Sequence, residues 1–246
     1  MSHELRTPMN AVLGAAQLLE YTGEQLNPKQ RKYVDLINSG GEHLLEVINE
    51  VLDLAYIESG KYELQPGPVS IGEIVQECID LLGPVIESRQ LQLEQRIDVN
   101  EYCMVNADPK RLRQVLLNLM NNAIKYNRDG GKIIIHCDRS TLGRFRLGVS
   151  DTGPGIDAAD QSRIFQPFDR LHADTHVEGT GIGLAVSRQL VELMGGELTV
   201  DSRPGEGSTF WVGLNTDATE YDANKQQRTL EAVAENSPGT IMRYGA

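Results

Sequence analysis

The sequence predicts a multidomain chain of class α followed by α/β: a helical hairpin that closes into a dimeric four-helix bundle, then an α/β sandwich with a mixed sheet. Three observations carry this prediction. Apolar residues recur by threes and fours from Val34 to Ala55, the spacing of a heptad seam. Gln65-Pro66-Gly67-Pro68 then breaks the helical pattern and reads as a hinge. From Ser70 to Leu214 helical runs alternate with short strand-like ones, the pattern of a sheet covered by helices on one face.

The first helix is expected from Thr7 to Leu19, with Met9, Val12, Ala16 and Leu19 as its seam. The second runs from Asn27 to Ser59, with Val34, Ile37, Gly41, Leu44, Ile48, Val51 and Ala55 in line. Asn27-Pro28 opens it with a capping side chain and a proline at the first helical position, where a missing N–H costs nothing. Gly23 sits in a short polar connection, so the two helices fold back antiparallel. Leu13, Leu45 and Leu52 widen the apolar face beyond one seam, and a lone hairpin would leave it in water. A second copy is the simplest closure; packing of the hairpin onto its own chain is the competing one.

Beyond the stop at Gly60, Ser70 with Glu73 forms a capping box for a helix to about Ser88, and Leu91, Leu93 and Ile97 alternate as a strand. Asp108-Pro109 starts a helix to about Asn127 whose buried face is Leu112, Val115, Leu116, Leu119 and Ala123. Ile133-Ile134-Ile135 is a buried strand, and Phe145, Leu147 and Val149 alternate as the next. A helix from Ile182 to Met194 stops at Gly195-Gly196. Strands at Leu198–Val200 and Thr209–Leu214 pair across the Arg203–Gly207 turn. Residues 215–246 have few apolar positions and no strong period, apart from a short helical stretch around Thr229 to Ala234.

With 246 residues, 40% of them hydrophobic, the chain can bury a substantial core. A formal net charge of -12 argues against a nucleic-acid partner, which needs clustered cations. Cys78, Cys103 and Cys137 are odd in number and unpaired in spacing, so neither a disulfide framework nor a zinc site is suggested, and a reducing, cytoplasmic setting fits. There is no run of 18 apolar residues and no signal segment, so no membrane contact is expected of this stretch. The chain opens inside its own candidate active stretch, which leads us to expect further sequence upstream.

Four clusters carry chemistry. Ser2-His3-Glu4-Leu5-Arg6-Thr7-Pro8 sets a histidine beside a carboxylate with a hydroxyl four positions on, a workable acid-base or nucleophile group, although a lone surface histidine is the commoner outcome. Asn118, Asn122 and Lys125 share one helical stripe. Two carboxamides and an ammonium so placed can hold hydrated Mg2+ and a polyphosphate, or simply face solvent. Asp151-Thr152-Gly153-Pro154-Gly155-Ile156 puts a carboxylate at a strand end before a glycine turn. Gly179-Thr180-Gly181-Ile182-Gly183-Leu184 runs into a helix and offers bare N–H groups to an anion. It is neither a P-loop nor a dinucleotide fingerprint, and the H-R-D and D-F-G signatures of eukaryotic-type kinases are absent.

Taken together, Ser2 to Pro8, Asn118-Leu119-Met120-Asn121-Asn122-Ala123-Ile124-Lys125-Tyr126, Asp151 to Gly155, Phe165-Gln166-Pro167-Phe168, Gly179 to Leu184 and Gly205-Glu206-Gly207-Ser208-Thr209-Phe210 resemble the H, N, G1, F, G2 and G3 boxes of two-component sensor histidine kinases, in the family's order. The resemblance covers residues 1 to about 214. It implies a Bergerat-type ATP-binding fold, shared with Hsp90, gyrase and MutL, for residues 70–214. Residues 1–60 would be the dimerisation and phosphotransfer hairpin, 61–69 a hinge, and 215–246 a tail or linker. It further implies that His3 is the phosphoacceptor, Glu4 its assisting base and Thr7 the residue of the reverse, phosphatase reaction toward the regulator. Asn122 would ligate Mg2+, and Asn118 and Lys125 would serve the phosphates of ATP. Tyr126 would line the adenine, and Asp151, with Thr209 behind it, would accept from the adenine amino group. Gly153, Gly155 and Ile156 in the G1 turn, Phe168, and Gly179, Thr180, Gly181, Gly183 and Leu184 complete the nucleotide set, with a mobile lid from Phe165 to about Gly181. A dimeric scaffold, or an ATPase of this fold without phosphotransfer, is the alternative.

A second stripe on the first helix, His3, Thr7, Ala11, Gly14 and Leu18 with Ala15 adjoining, is small and apolar on a face the seam does not use. It reads as the docking surface for a response-regulator receiver domain, with a resting place for the ATP-binding domain as the other reading.

Because the seam needs a partner, residues 1–60 are expected to dimerise and the 70–214 module to be monomeric when cut free. Replacing Ile48 by a charged residue should cost several kcal/mol (about 3–5) of dimer stability by burying an unpaired charge, which sedimentation at micromolar concentration would register as monomer.

Overall fold

A computed structural model describes residues 2–21, 26–60, 62–97, 104–139, 144–169 and 179–215. Two helices come first, α1 (Ser2–Tyr21) and α2 (Pro28–Glu58). Then follow β1 (Gly67–Ser70), α3 (Ile71–Ser88), β2 (Gln92–Arg96), β3 (Met104–Ala107), α4 (Pro109–Lys125), β4 (Lys132–Arg139), β5 (Arg144–Asp151), a short 3-10 turn (Arg163–Phe165), α5 (Gly183–Leu193), β6 (Glu197–Arg203) and β7 (Gly207–Asn215).

The hairpin forms where the sequence predicts it, with α1 starting at Ser2 rather than Thr7 and carrying Pro8 inside it. Asn27 caps α2 by accepting from the Lys29 and Gln30 backbone N–H groups at 3.0 and 2.9 Å, while the Gln30 side chain accepts from Asn27 N–H at 2.9 Å, a reciprocal capping box. The expected single seam divides in two. Val34 and Gly41 are buried, and Gly41 leaves room for Leu13, whose Cδ2 would stand 2.6 Å from any Cβ placed there. Ile37, Leu44 and Val51 stay exposed on one chain, leaving the apolar strip that a second copy would cover. The last turns of α2 do neither: Leu54 belongs to the core of the α/β part, and Ile57 packs against it.

Five strands form the main sheet in the order β2-β4-β5-β7-β6, with β2 and β4 parallel and the rest antiparallel. Ile133, Ile135, Phe145, Leu147, Val149, Phe210, Val212 and Leu214 point inward and are buried, because every second residue of a strand faces the same side. Helices α3, α4 and α5 cover that face. Ile71, Ile74, Val75, Cys78, Leu82 and Ile86 line α3; Leu112, Val115, Leu116, Leu119, Met120, Ala123 and Ile124 line α4, a wider stripe than the expected one. On the opposite face Trp211 stacks edge-on with His136 at 4.8 Å and lies 4.4 Å from the Arg146 guanidinium.

The second half of the expected Gln65–Pro68 hinge lies in a strand. Gly67–Ser70 is a strand, paired antiparallel with Met104–Ala107, and Gln65 N–H donates to Asp108 Oδ2 at 2.9 Å. Buried Asp108 also accepts through Oδ1 from Lys110 and Arg111 N–H at 3.0 and 3.1 Å, so one carboxylate both caps α4 and pins the incoming chain. The two-stranded sheet escaped the sequence reading because each strand has only four residues, too few for a period.

Candidate functional site

The polar stripe of α4 meets the glycine loop before α5. Asn118 Nδ2 donates to Ser187 Oγ on α5 at 2.8 Å. A Cβ at Gly183 would stand 2.6 Å from Asn118 Oδ1, and one at Gly179 would stand 2.5 Å from Lys125 Nζ. Both glycines thus admit side chains that a larger residue would push away. Asn122, one turn on from Asn118, is half-buried, and Lys125 Nζ lies 5.3 Å from the centre of the exposed Tyr126 ring. Among the described residues no side chain caps the N-terminus of α5, where Ile182 holds the cap position, so its first-turn N–H groups are donors that an anion could take up.

The second half of the site hangs on β5. Asp151 Oδ1 accepts from Gly153 N–H at 2.7 Å. Burial pushes its carboxyl above the ordinary aspartate range, opposed by the backbone N–H groups of Gly153 and Ser208. Gly153 is pressed against the end of α4, where a Cβ would meet the Tyr126 carbonyl oxygen at 2.4 Å. Gly155 has φ +74 and would place a Cβ 2.0 Å from the Arg203 carbonyl oxygen. Ile156 N–H donates to Ser202 Oγ at 2.8 Å, and Ile156 and Leu184 pack at the core margin.

Thr209 does not stand behind Asp151. Register pairs Ser150 with Thr209, and their hydroxyls share a 2.7 Å hydrogen bond on the side of the sheet opposite Asp151. The neighbour of Asp151 is buried Ser208, whose Oγ lies 3.0 Å from Ser202 Oγ. A period of two along the strand decides this, and a one-residue error reverses the face.

Phe168, exposed and at φ 64, donates its N–H to the Gly181 carbonyl at 3.0 Å, so the F segment and the glycine loop meet at their ends. Ile182 N–H donates to Thr180 Oγ1 at 3.1 Å. Residues 170–178 of the expected Phe165–Gly181 lid lie outside the described residues, as do the side chains of residues 2–6, His3 and Glu4 included. The backbone of His3 is in the first turn of α1. Since Leu13 lies against Gly41, ten residues back along α1 and ten on along α2 the antiparallel run sets His3 at about the level of Val51. Thr7, Ala11, Ala15 and Leu18 are exposed on α1, and a Cβ at Gly14 would meet nothing within 4 Å.

A glycine-lined loop over an uncapped helix end, with an ammonium and two carboxamides beside it, fits a nucleotide polyphosphate. The amide oxygen of Asn122 suits an ion that takes phosphate and water as most of its ligands. A polyphosphate-sized cradle and a helical hairpin are thus joined in one chain. Residues 107–218 match the family described as histidine kinase-, DNA gyrase B- and HSP90-like ATPase, and residues 1–60 match the His Kinase A (phospho-acceptor) domain. The chain is 39% identical over 221 residues to the sensor protein GacS of Pseudomonas syringae pv. syringae, covering 87% of this chain and 24% of GacS. It is 43% identical over 225 residues to the circadian input-output histidine kinase CikA of Synechococcus elongatus, covering 87% of this chain and 29% of that one. Among solved structures, full-length ShkA in complex with AMPPNP superposes with TM-score 0.72 at 34% identity, over 88% of this chain and 45% of ShkA. Histidine kinase ThkA in complex with the response regulator protein TrrA does so with TM-score 0.62 at 25% identity, over 87% of this chain and 59% of that one. The chain belongs to the two-component sensor histidine kinases and spans about a quarter of the length of the curated relatives it matches.

Gly155→Ala should force the G1 turn off the Arg203 carbonyl and cost about 1–3 kcal/mol, read as a lower urea midpoint with an unchanged m value.

Proposed function

We propose that this chain is an autophosphorylating core: His3 takes the γ-phosphoryl group of ATP held between α4 and α5 and passes it to an aspartate of a response-regulator receiver domain. The observation that carries this reading is the convergence of Lys125, Asn118 and the uncapped α5 N-terminus on one glycine loop. ShkA binds AMPPNP and ThkA binds a response regulator, which supports the same two ligands here. Residues 1–60 serve as dimerisation and phosphotransfer unit and 70–214 as ATP-binding unit. The exposed Ile37, Leu44 and Val51 give the hairpin an apolar strip for the second copy.

Phosphoryl transfer passes through a loose transition state, so positioning and charge neutralisation supply most of the rate. A neutral His3 ring nitrogen forms the N–P bond as the bond from phosphorus to the β-γ bridging oxygen breaks, ADP leaves, and the imidazole proton passes to Glu4 or water. Lys125 and the α5 N–H groups hold the phosphates. Asn122 is the residue that would ligate Mg2+, which when bound neutralises polyphosphate charge. Asp151, propped by Gly153 and Ser208, accepts from the adenine amino group beside Tyr126. Thr7 serves the reverse, phosphatase reaction.

With labelled Mg-ATP the protein should acquire an acid-labile, alkali-stable label that disappears in His3→Gln and in Asn122→Ala. Nucleotide hydrolysis without labelling would instead indicate an ATPase of this fold, and no nucleotide binding a scaffold. Because Gly14 and Ala15 lie on the open α1 face, replacing either by a bulky residue should leave His3 labelling near normal and slow transfer to the cognate regulator about tenfold or more, a loss of about 1.4 kcal/mol. Equal loss of both activities would mean that the ATP-binding unit rests there.

A further inference from the structure

One contact in the glycine loop comes from outside the ATP-binding unit. Glu50, on α2, accepts through Oε2 from Thr180 Oγ1, and its other oxygen would lie 3.2 Å from a Cβ at Gly183. Burial raises the Glu50 pKa above its ordinary value; the Thr180 hydrogen bond opposes this, Glu46 adds to it, and His43 and Lys125 draw it down. The Thr180 hydrogen bond and the approach to Gly183 set the carboxylate at the mouth of the anion cradle, against the first residue of α5, on the loop that Lys125 reaches. Glu50 is also the first residue of a docking stripe spaced by three, four and seven: Asp53 accepts from Gln114 Nε2 at 2.8 Å and lies 3.7 Å from Arg111 Nη1, Leu54 is in the core, and Ile57 packs on it. Beside this stripe a cleft of about 490 Å³ remains, bounded by Tyr56, Tyr62 and Lys110.

We propose that Glu50 is an internal stand-in for nucleotide phosphate: its carboxylate occupies the cradle mouth in the docked arrangement and leaves when ATP binds, so that nucleotide binding and docking of α2 on the ATP-binding unit oppose each other. The inference rests on the reading of this loop as the ATP site. Two anions at one helix N-terminus repel, and a phosphate has the greater charge and more acceptor oxygens, so it displaces the carboxylate. Coupling of this kind is reciprocal: the factor by which docking of α2 lowers ATP affinity is the factor by which bound ATP weakens the docking.

The test is calorimetric titration of the whole chain with Mg-AMPPNP, paired with hydrogen exchange over residues 50–58. Glu50→Gln keeps the shape and the acceptor for Thr180 but removes the charge, and it should tighten AMPPNP binding about fivefold or more. Gln114→Leu loosens the stripe away from the cradle and should tighten it by a smaller factor. In the unaltered protein AMPPNP should speed exchange across 50–58. Unchanged or weaker binding by Glu50→Gln, or exchange that slows on adding AMPPNP, overturns the proposal and makes Glu50 a positioning contact of the docked state. Failure of the unaltered protein to bind AMPPNP would overturn the ATP-site reading itself.

Discussion

Burial of one face of α4 is the constraint on which the rest of the structure depends. Leu112, Val115, Leu116, Leu119 and Met120 are sealed from water against the sheet, a hydrophobic term of about 1.5–3 kcal/mol for each large side chain. Once that face is down, the helix cannot rotate. Asn118, Asn122 and Lys125, about a third of a turn away around the helix, are then delivered to the rim beside α5. The chemistry-bearing stripe is held by residues with no chemistry of their own, and the Asp108 cap keeps the helix start, and so the axial position of the stripe, in place.

Electrostatics completes the site with few charges. Leaving α5 uncapped costs the helix a stabilising hydrogen bond of about 1 kcal/mol, a local rule broken where a ligand can supply the missing acceptor. In the docked arrangement Glu50 reaches that neighbourhood from another unit of the same chain. Asp151 is half-buried, and its carboxylate accepts from the backbone N–H groups of Gly153 and Ser208.

Legibility in the sequence followed the range of the interaction involved. The helices could be read because their apolar residues recur within a turn, as in α3 and α4, and the capping of α2 by Asn27 with Pro28 because the whole signal lies within four residues. The nucleotide boxes could be read because glycines pressed against backbone, such as Gly153 and Gly155, tolerate no other residue. What escaped was long-range. The β1–β3 pair joins segments nearly forty residues apart, and the Gln65–Pro68 stretch looked like a hinge because proline and glycine also occur at sheet edges.

By itself, the sequence determined the order of the helices and of the five main-sheet strands, the division into hairpin and α/β sandwich, and the residue types that gather at the cradle, because each of these is set by local spacing. Only the tertiary structure decided that Ser208 rather than Thr209 stands by Asp151, since a strand's facing depends on its register with its neighbours. Only packing, likewise, divided the α2 seam between Leu13 on one side and open surface on the other. And only the docking of Leu54 and Ile57 into the core brought Glu50 to Thr180 across 130 residues of chain, because contacts between distant segments are chosen by the burial of whole faces and leave no periodic trace in either segment.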